Sequence, residues 1–250
     1  MESTMYALSA RDIKKRFKKR EAVKGISIKI TQGEIAGLLG PNGAGKTTTF
    51  QMITGDVKAD SGHIFFDDTD ITNYPMYKRA RLGTGYLPQE PSAFRGLTAE
   101  ENVVAVLEMN HYTKEQIKER LEEVMTEFGM ATRSNIKAKD LSGGERRRLE
   151  VMRAMALHPR FMLLDEPFAG VGPLAVDDLQ QIIVKLKEKN VGVLITDHNV
   201  HETFEITDRA YIINQGEILI KGIPKEIEQN ELARKVFLGE KFHLPTGRQV

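Results

Sequence analysis

Eight residues at positions 40–47, GPNGAGKT, are of the types needed to hold a phosphate group. Glycines let backbone N–H groups turn inward toward phosphate oxygens, and the N-terminus of a following helix adds partial positive charge. The pattern is complete, and it stands between a short apolar run and a predicted helix, as a phosphate-binding loop requires. We predict that Lys46 reaches the β- and γ-phosphates and that Thr47 ligates Mg²⁺. The residues predicted to contact a nucleotide here are Gly40, Pro41, Asn42, Gly43, Ala44, Gly45, Lys46, Thr47 and Thr48.

Two carboxylates and a histidine follow other apolar runs of the chain. Asp165 ends a predicted buried strand and is suited to hold Mg²⁺ through its water shell, while Glu166 is the candidate base that orients the attacking water. His198 comes just after a further predicted strand. Because parallel strands of such folds end on the nucleotide side, His198 is a candidate to touch the γ-phosphate. A structural or surface histidine is the alternative. The predicted catalytic residues are therefore Lys46, Glu166 and His198.

Gln89 and Phe17 are candidates for which a second interpretation stays open. Gln89 lies where predicted sheet gives way to predicted helices, and its amide is suited to bind Mg²⁺ or its water and to report the nucleotide state. An ordinary loop glutamine explains it equally well. Phe17 lies on a basic segment 23 residues before Gly40, where its ring would stack on adenine. A core or sheet-edge phenylalanine is the equal alternative.

The pentapeptide LSGGE at residues 141–145 precedes a predicted helix over residues 145–157. The hydroxyl of Ser142, the N–H groups of Gly143 and Gly144 and a bare helix N-terminus together predict a second anion site. Within one copy this site has no phosphate to bind if the first loop is already occupied. A head-to-tail pair resolves this, because each LSGGE would cap the γ-phosphate held by its partner. A loop with an ordinary helix cap is the alternative.

These residues need a sheet whose strands end at a common edge. The predicted strands are residues 8–17, 26–30, 35–39, 63–66, 161–164, 191–195, 210–213 and 217–220. The first of them is expected to pair with the second as a sheet edge. A capping box at Thr98 and apolar residues at helical spacing predict a mainly helical insert over about residues 90–155. The sequence therefore predicts one α/β domain over residues 5–240, ending in an amphipathic helix at 224–238, with a tail at 241–250 that frays at its end.

Bulk composition excludes several classes of protein. The chain has 250 residues, a net charge of +1 and a pI near 7.9, so it carries no general field for nucleic acid. The absence of cysteine excludes a disulfide framework and Cys-based zinc sites. No apolar run approaches the ~20 residues of a membrane helix, and the charge-rich first thirty residues do not suit a secretory signal. We expect a cytoplasmic chain that reaches a membrane only through partners.

Taken together, GPNGAGKTT, Gln89, LSGGE, LLDEP and His198 resemble the ATP-binding-cassette (ABC) ATPases in order and spacing. The resemblance implies a P-loop NTPase fold with a RecA-like core, an antiparallel β subdomain and a helical subdomain, with ATP and Mg²⁺ as cofactors. Some segments are more narrowly similar to the ATPase subunits of lipopolysaccharide export transporters, and branched-chain amino-acid importer ATPases share much of this pattern and are the alternative. The segments in question are residues 88–95, 166–171, 195–200 and 237–244.

Two ABC classes that do not transport fit the chain less well. ATPases that act on DNA split the cassette with a long coiled coil, whereas only 95 residues separate Lys46 from Leu141 here, without sustained heptads. Ribosome-binding factors carry two cassettes per chain, and this chain carries one. A transporter ATPase is therefore the favoured function class, and no nucleic-acid partner is expected.

The resemblance also implies partners. It implies a homodimer that sandwiches two ATP molecules and docks, from the cytoplasmic face of the inner membrane, under two transmembrane permease subunits near Phe94 and Arg95. Gly172 departs from the family pattern, which usually has an Asp at this position that helps to couple the two sites of the dimer. Because this chain lacks that Asp, the coupling between the two sites is in question.

Overall fold

A computed structural model of the protein describes residues 6–244, in which ten strands form two sheets. The strands are β1 (Ala7–Phe17), β2 (Arg20–Thr31), β3 (Ile35–Leu39), β4 (Ser61–Phe66), β5 (Thr69–Asp70), β6 (Thr84–Leu87), β7 (Phe161–Asp165), β8 (Gly192–Thr196), β9 (Arg209–Asn214) and β10 (Glu217–Gly222). The helices are α1 (Lys46–Thr54), α2 (Met76–Leu82), α3 (Ala99–Met109), α4 (Lys114–Glu127), α5 (Gly143–Met155), α6 (Pro173–Glu188), α7 (Val200–Phe204), α8 (Pro224–Gln229) and α9 (Glu231–Ala233). Short 3₁₀ turns lie at Ala131–Arg133 and Ala138–Asp140, and a π-helical turn lies at Arg234–Leu238.

The larger sheet brings the predicted functional segments to one edge. Its strand order is β10-β9-β3-β8-β7-β6, and all neighbours are parallel except the β9–β10 hairpin. The strands β3, β7 and β8 are buried along their whole length, as expected for parallel strands covered on both faces. Because they run in the same direction, their carboxyl ends place the glycine-rich loop, Asp165 and Asp197 along the same edge.

Alternating side chains divide the core between the two faces of this sheet. Leu163 and Leu194 face α1 and the smaller antiparallel sheet, whereas Leu164 and Ile195 face a second cluster built from α3 to α6. This is the period of two that a strand imposes on its side chains. The described fold is the predicted α/β class, with an antiparallel sheet and a helical part beside the core.

The order of the smaller sheet corrects one expectation. Its order is β2-β1-β4-β5, so β1 is an inner strand with partners on both sides, and β2 and β5 are the edge strands. The alternation of apolar and polar residues within 26–30 indicates a strand, but it does not show which strand lies at the edge of the sheet. That depends on the pairing of β1 with β4, about fifty residues further along the chain.

The single helix predicted over residues 224–238 was wrong. It is broken at Asn230, whose backbone is extended (φ −78°, ψ 118°) and whose side chain accepts a hydrogen bond from the Ala233 N–H at 2.9 Å. Asparagine side chains favour this local bond over a continuous helix. The first part of the predicted tail packs on the protein, since Phe242 is buried against Phe204 and stacks on His201 with ring centroids 4.4 Å apart. Residues 245–250, for which fraying was predicted, lie outside the described residues.

A buried arginine fixes the helix that follows the glycine-rich loop. Arg79 is 2% exposed, and its guanidinium donates to the carbonyls of Met52 and Ile53 in the last turn of α1, at 2.8 and 2.6 Å, and to two further carbonyls. Burial lowers its pKa to about 10, which leaves it charged at neutral pH. The last carbonyls of α1, which have no partner within the helix, are thus satisfied by a cation.

Within residues 6–244, no helix is long and apolar enough to cross a membrane.

We expect Arg79→Ala to lower the free energy of unfolding by roughly 3 kcal/mol, because it leaves buried carbonyls without donors and opens a cavity. Arg81→Ala, on the exposed face of the same helix, is the matched control and should change stability by less than about 0.5 kcal/mol. Urea denaturation of both variants measures the difference. Equal, small losses would show that the carbonyls find other donors.

Candidate functional site

A cavity of about 340 Å³ lies over the glycine-rich loop. Its lining residues are Phe17, Arg20, Ala22, Asn42, Gly43, Gly45, Lys46, Thr47, Thr48 and Glu166. The structure thus brings the loop, the predicted base and the predicted adenine-stacking ring around a single space. Phe17 is 47% exposed at the end of β1, so it is not a core residue. An exposed ring at the mouth of this cavity fits the stacking interpretation of Phe17.

The loop needs glycine at positions where the backbone comes close to its surroundings. Gly45, the residue before α1, has φ +109°, and a Cβ there would lie 2.5 Å from the carbonyl oxygen of Ala22. Gly40 lies against the carbonyl of Ile213 on β9, where a Cβ would overlap that oxygen. These close approaches keep the loop tight at the end of β3 and direct its amides toward the cavity.

Lys46 is held over the loop by backbone carbonyls. Its Nζ donates to the carbonyls of Gly40 at 2.7 Å and Pro41 at 3.2 Å, and the side chain is buried. Burial lowers the pKa of Lys46, and the nearby Glu166 carboxylate opposes that shift. A cation placed in this way is ready to exchange loop carbonyls for phosphate oxygens.

Glu166 is the meeting point of the predicted catalytic residues. Its Oε2 accepts a hydrogen bond from the Gln89 side-chain amide at 2.8 Å and lies 3.5 Å from Nδ1 of His198. The backbone of Glu166 is left-handed (φ +45°), which is uncommon outside glycine, and its N–H donates to Thr196 at the end of β8. Asp197, fully buried, accepts from the N–H groups of Phe168 and Asn199 and fixes the loop that carries His198.

Asp165 provides the chemistry of a cation site. Its carboxyl is buried beside Glu166, and this burial, together with the neighbouring negative charge, raises the pKa of Asp165 to about 6. A divalent cation would favour the ionised form of both carboxylates. Within residues 6–244 no group of three acidic, His or Cys side chains could hold a metal alone. Mg²⁺ commonly takes one or two protein ligands and completes its shell with water and phosphate. The residues that would hold it are Thr47, Gln89 and Asp165.

The N-terminus of the LSGGE helix differs from the prediction. The helix α5 begins at Gly143, and its end is capped, not bare: the Ser142 hydroxyl accepts from the Glu145 N–H at 3.2 Å, and the Glu145 carboxylate accepts from the Ser142 N–H at 2.9 Å. Arg133 also donates to Glu145, at 2.7 Å. These hydrogen bonds, that from the Ser142 backbone first, lower the pKa of Glu145 to about 2. The predicted anion site therefore keeps the amides of Gly143 and Gly144, whereas the Ser142 hydroxyl is already engaged in the cap.

Ser142, Gly143 and Gly144 do not line the cavity over the glycine-rich loop. Ser142 and Gly144 lie in a separate space of about 100 Å³ between α5 and α6. Gly143 lines another, of about 250 Å³, together with Gln89 and residues of the 169–171 loop. One copy therefore does not bring the LSGGE glycines onto the phosphates that its own loop would hold.

Sequence reasoning missed two residues of the site. Arg20 and Ala22 line the cavity, and an Arg20 side-chain N–H donates to the Gly43 carbonyl at 2.9 Å. Arg20 belongs to the basic run around Phe17. A solvated face is the simplest interpretation of that run, and contact with phosphates or anionic lipid headgroups is the alternative, so only the hairpin position beside Phe17 could have singled out Arg20. The docking candidate Phe94 is 43% exposed, with the Arg153 guanidinium 4.9 Å from its ring centroid, and Arg95 is exposed next to it.

A glycine-rich loop with its lysine, and acidic residues at the ends of adjacent parallel strands, define a P-loop nucleoside triphosphatase. The chain belongs to the ABC transporter family, whose model matches residues 23–169, and it is an ATP-binding ATPase of that family. It is 49% identical, over 96% of its length and 100% of the relative, to the lipopolysaccharide export system ATP-binding protein LptB of Escherichia coli K12. Among solved structures, an ABC transporter ATP-binding cassette in its ADP conformation matches with a TM-score of 0.86, 27% identity, 95% of this chain and 100% of that one. A dimeric bacterial ABC transporter cassette matches in fold, with a TM-score of 0.76, 23% identity, and coverage of 86% and 98%.

Gly172 is the N-cap residue of α6 and offers no side chain to that helix. Its backbone is extended (φ −71°, ψ 157°), as an N-cap requires, and nothing lies within 4 Å of a Cβ built on it. An aspartate would fit there without strain, so the departure from the family pattern leaves the helix less well capped without altering the path of the loop.

We expect Gly172→Asp to raise the free energy of unfolding by about 0.3 kcal/mol, because its carboxylate can accept from the first N–H groups of α6. Gly170→Asp is the matched control in the same loop. It has equal space around Cβ but φ +69°, so it should lower stability by about 1 kcal/mol. Thermal unfolding compares the two, and the same sign for both would contradict the capping argument.

Proposed function

We propose that this chain is the ATP-hydrolysing subunit of a lipopolysaccharide export transporter, acting with Mg²⁺ as a homodimer that encloses two ATP molecules. The observation that carries the catalytic part is the cluster in which Lys46 and Glu166 face one cavity while Gln89 and His198 contact Glu166. The cargo is inferred from the near-complete match to LptB of Escherichia coli. Branched-chain amino-acid import is the alternative cargo, which the identity of the permease partners would separate.

In the proposed mechanism, each group has a distinct task. Lys46 neutralises the β- and γ-phosphates, and the loop amides orient them for attack in line. Glu166 orients the attacking water, with Gln89 and His198 holding its carboxylate. When bound, Mg²⁺ supplies further charge neutralisation through Thr47, Gln89 and Asp165. His198 is 61% exposed on the same side, where it can reach a γ-phosphate.

The proposed dimer is supported by the separation of the two predicted anion sites. The amides of Gly143 and Gly144 lie outside the cavity of their own loop. In a head-to-tail pair, they would close the partner's site over the γ-phosphate. ATP would then favour the closed dimer because it binds that state more tightly than the open one. A cassette of the same fold that is itself dimeric supports a dimeric assembly.

Docking on the membrane is proposed to use the surface at Phe94 and Arg95. Two permease subunits would hold the dimer peripherally at the cytoplasmic face of the inner membrane. Phe94 is an exposed aromatic ring on a fixed loop, since its N–H donates to the side chain of Asn102 at 2.8 Å. An aromatic residue beside an arginine is the composition that protein interfaces favour.

We expect Glu166→Gln to bind ATP, to hydrolyse it at least ~100-fold more slowly, and to accumulate as a dimer, because the base is lost while the binding groups remain. Phosphate release measures hydrolysis, and size-exclusion chromatography with light scattering measures assembly. Glu188→Gln, an exposed change of the same type at the end of α6, should behave as the wild type. A Glu166→Gln protein that stays monomeric in saturating Mg-ATP would rule out the sandwich.

Tagged wild-type protein purified from membranes should carry two permease subunits, and mass spectrometry of these identifies the transporter.

Phe94→Ala and Arg95→Ala should lower the recovery of the permease subunits several-fold while the ATPase activity of the free subunit is kept. Tyr77→Ala is the control, since it removes another exposed aromatic ring, on α2, which is 57% exposed. If the Phe94 and Arg95 variants lose intrinsic ATPase activity instead, those residues belong to the nucleotide site. If the recovered permeases were those of an amino-acid importer, branched-chain amino acids would replace lipopolysaccharide as the proposed cargo.

A further inference from the structure

Arg20 is a second cation against the glycine-rich loop. Its Nη2 donates to the carbonyl of Gly43 at 2.9 Å, and its side chain lines the same cavity as Lys46. Neither the loop pattern nor the predicted catalytic set includes it. Its position, charge and free donors together suggest that it acts on the nucleotide directly.

The hairpin between β1 and β2 places Arg20 beside Phe17. The two residues are the last cross-strand pair before a two-residue turn at Lys18 and Lys19, and directly opposed residues of a hairpin project from the same face. Both side chains accordingly reach the cavity. Phe17 is the residue expected to stack on adenine, and Arg20 contacts the loop at Gly43. We therefore expect Arg20 to meet the part of a nucleotide between its base and its terminal phosphates.

The contact with Gly43 fixes one peptide of the loop at both ends. The carbonyl of Gly43 accepts from Arg20, and the N–H of the same peptide, which belongs to Ala44, donates to the carbonyl of Pro41 at 3.2 Å. A carbonyl held on the hairpin side cannot turn into the cavity, where it would repel phosphate oxygens. Arg20 therefore also helps to keep the loop in its anion-binding form.

The charge of Arg20 is not compensated by a carboxylate. Within residues 6–244 it forms no ion pair, and the nearby Glu21 is engaged with Arg16 at 2.6 Å. A guanidinium has five N–H donors, and the hydrogen bond to Gly43 uses one of them. The Arg20 side chain lines the cavity over the glycine-rich loop, and arginine binds phosphate through paired donors.

We propose that Arg20 binds the nucleotide at the phosphate next to the ribose, between the adenine on Phe17 and the β- and γ-phosphates on Lys46. This placement rests on ATP binding at the glycine-rich loop. Because ATP and ADP share that phosphate, Arg20 contributes equally to both and does not distinguish the substrate from the product.

The test compares Arg20→Ala and Arg20→Lys with Lys19→Ala, which removes the same charge from the exposed turn without a contact in the cavity. Calorimetric titration with Mg-ADP and with a non-hydrolysable ATP analogue should show both affinities lowered about tenfold in Arg20→Ala, the loss of roughly one charge-assisted hydrogen bond. Arg20→Lys should recover part of the loss, and Lys19→Ala should stay within about twofold of the wild type. Melting temperatures without nucleotide confirm that each variant is folded.

Equal losses in Arg20→Ala and Lys19→Ala would overturn the proposal, because they would indicate a general charge effect. Unchanged affinities in Arg20→Ala would overturn it as well. A loss confined to the triphosphate analogue would move Arg20 to the γ-phosphate and contradict the placement. If the wild-type protein itself bound neither nucleotide, the hypothesis contradicted would be ATP binding at the glycine-rich loop, on which the role of Arg20 rests.

Discussion

The buried guanidinium of Arg147 is the interaction on which the geometry of the site depends. It donates to the carbonyl of Pro88 at 2.7 Å, to the backbone of Asp165 at 3.2 Å and to the carboxylate of Glu150 at 3.0 Å. These acceptors belong to the segment before Gln89, to the end of β7 and to α5 itself. A buried arginine that lost one of these partners would leave an unpaired charge out of water, at a cost of several kcal/mol. The LSGGE helix, the Gln89 segment and the carboxylate strand are thus held as one unit.

The same face of α5 fixes the loop that leads to the proposed docking surface. Glu150 accepts from the N–H groups of Ser92 and Ala93 at 2.5 and 3.0 Å, and Arg153 donates to the Ser92 carbonyl at 2.8 Å and covers the ring of Phe94. Residues 147, 150 and 153 are three apart, so they lie along one side of the helix. The loop from Pro88 to Phe94 therefore carries Gln89 at one end and Phe94 at the other, and one helix holds both ends. A movement of the nucleotide-site residues relative to α5 would therefore also displace Phe94.

Local patterns predicted the parts of the protein that depend on local chemistry. The glycine-rich loop, the buried parallel strands and the capping box at Thr98 follow from residue types within a few positions of one another, and their placement agrees with the structure. What escaped prediction depends on distant partners. Arg147 and Glu150 look like the solvated face of a charged helix until Pro88 and Ser92, about sixty residues away, are brought against them. Arg20 was not singled out from its basic run for the same reason, and the inner position of β1 depends on its pairing with β4.

The N-terminus of the LSGGE helix offers an anion only part of its backbone donors. The capping box occupies the N–H groups of Ser142 and Glu145, so an anion at this helix end would meet chiefly the amides of Gly143 and Gly144. The pKa of Glu145, lowered to about 2, means that its carboxylate stays ionised at neutral pH, beside the Arg133 guanidinium that balances it. Two glycine amides at a helix N-terminus form a small anion site, too small to hold a nucleotide unaided. They lie outside the cavity of their own loop. In the proposed head-to-tail dimer a second copy presents its triphosphate to these amides, so the capped helix end supports the same proposal as a bare one.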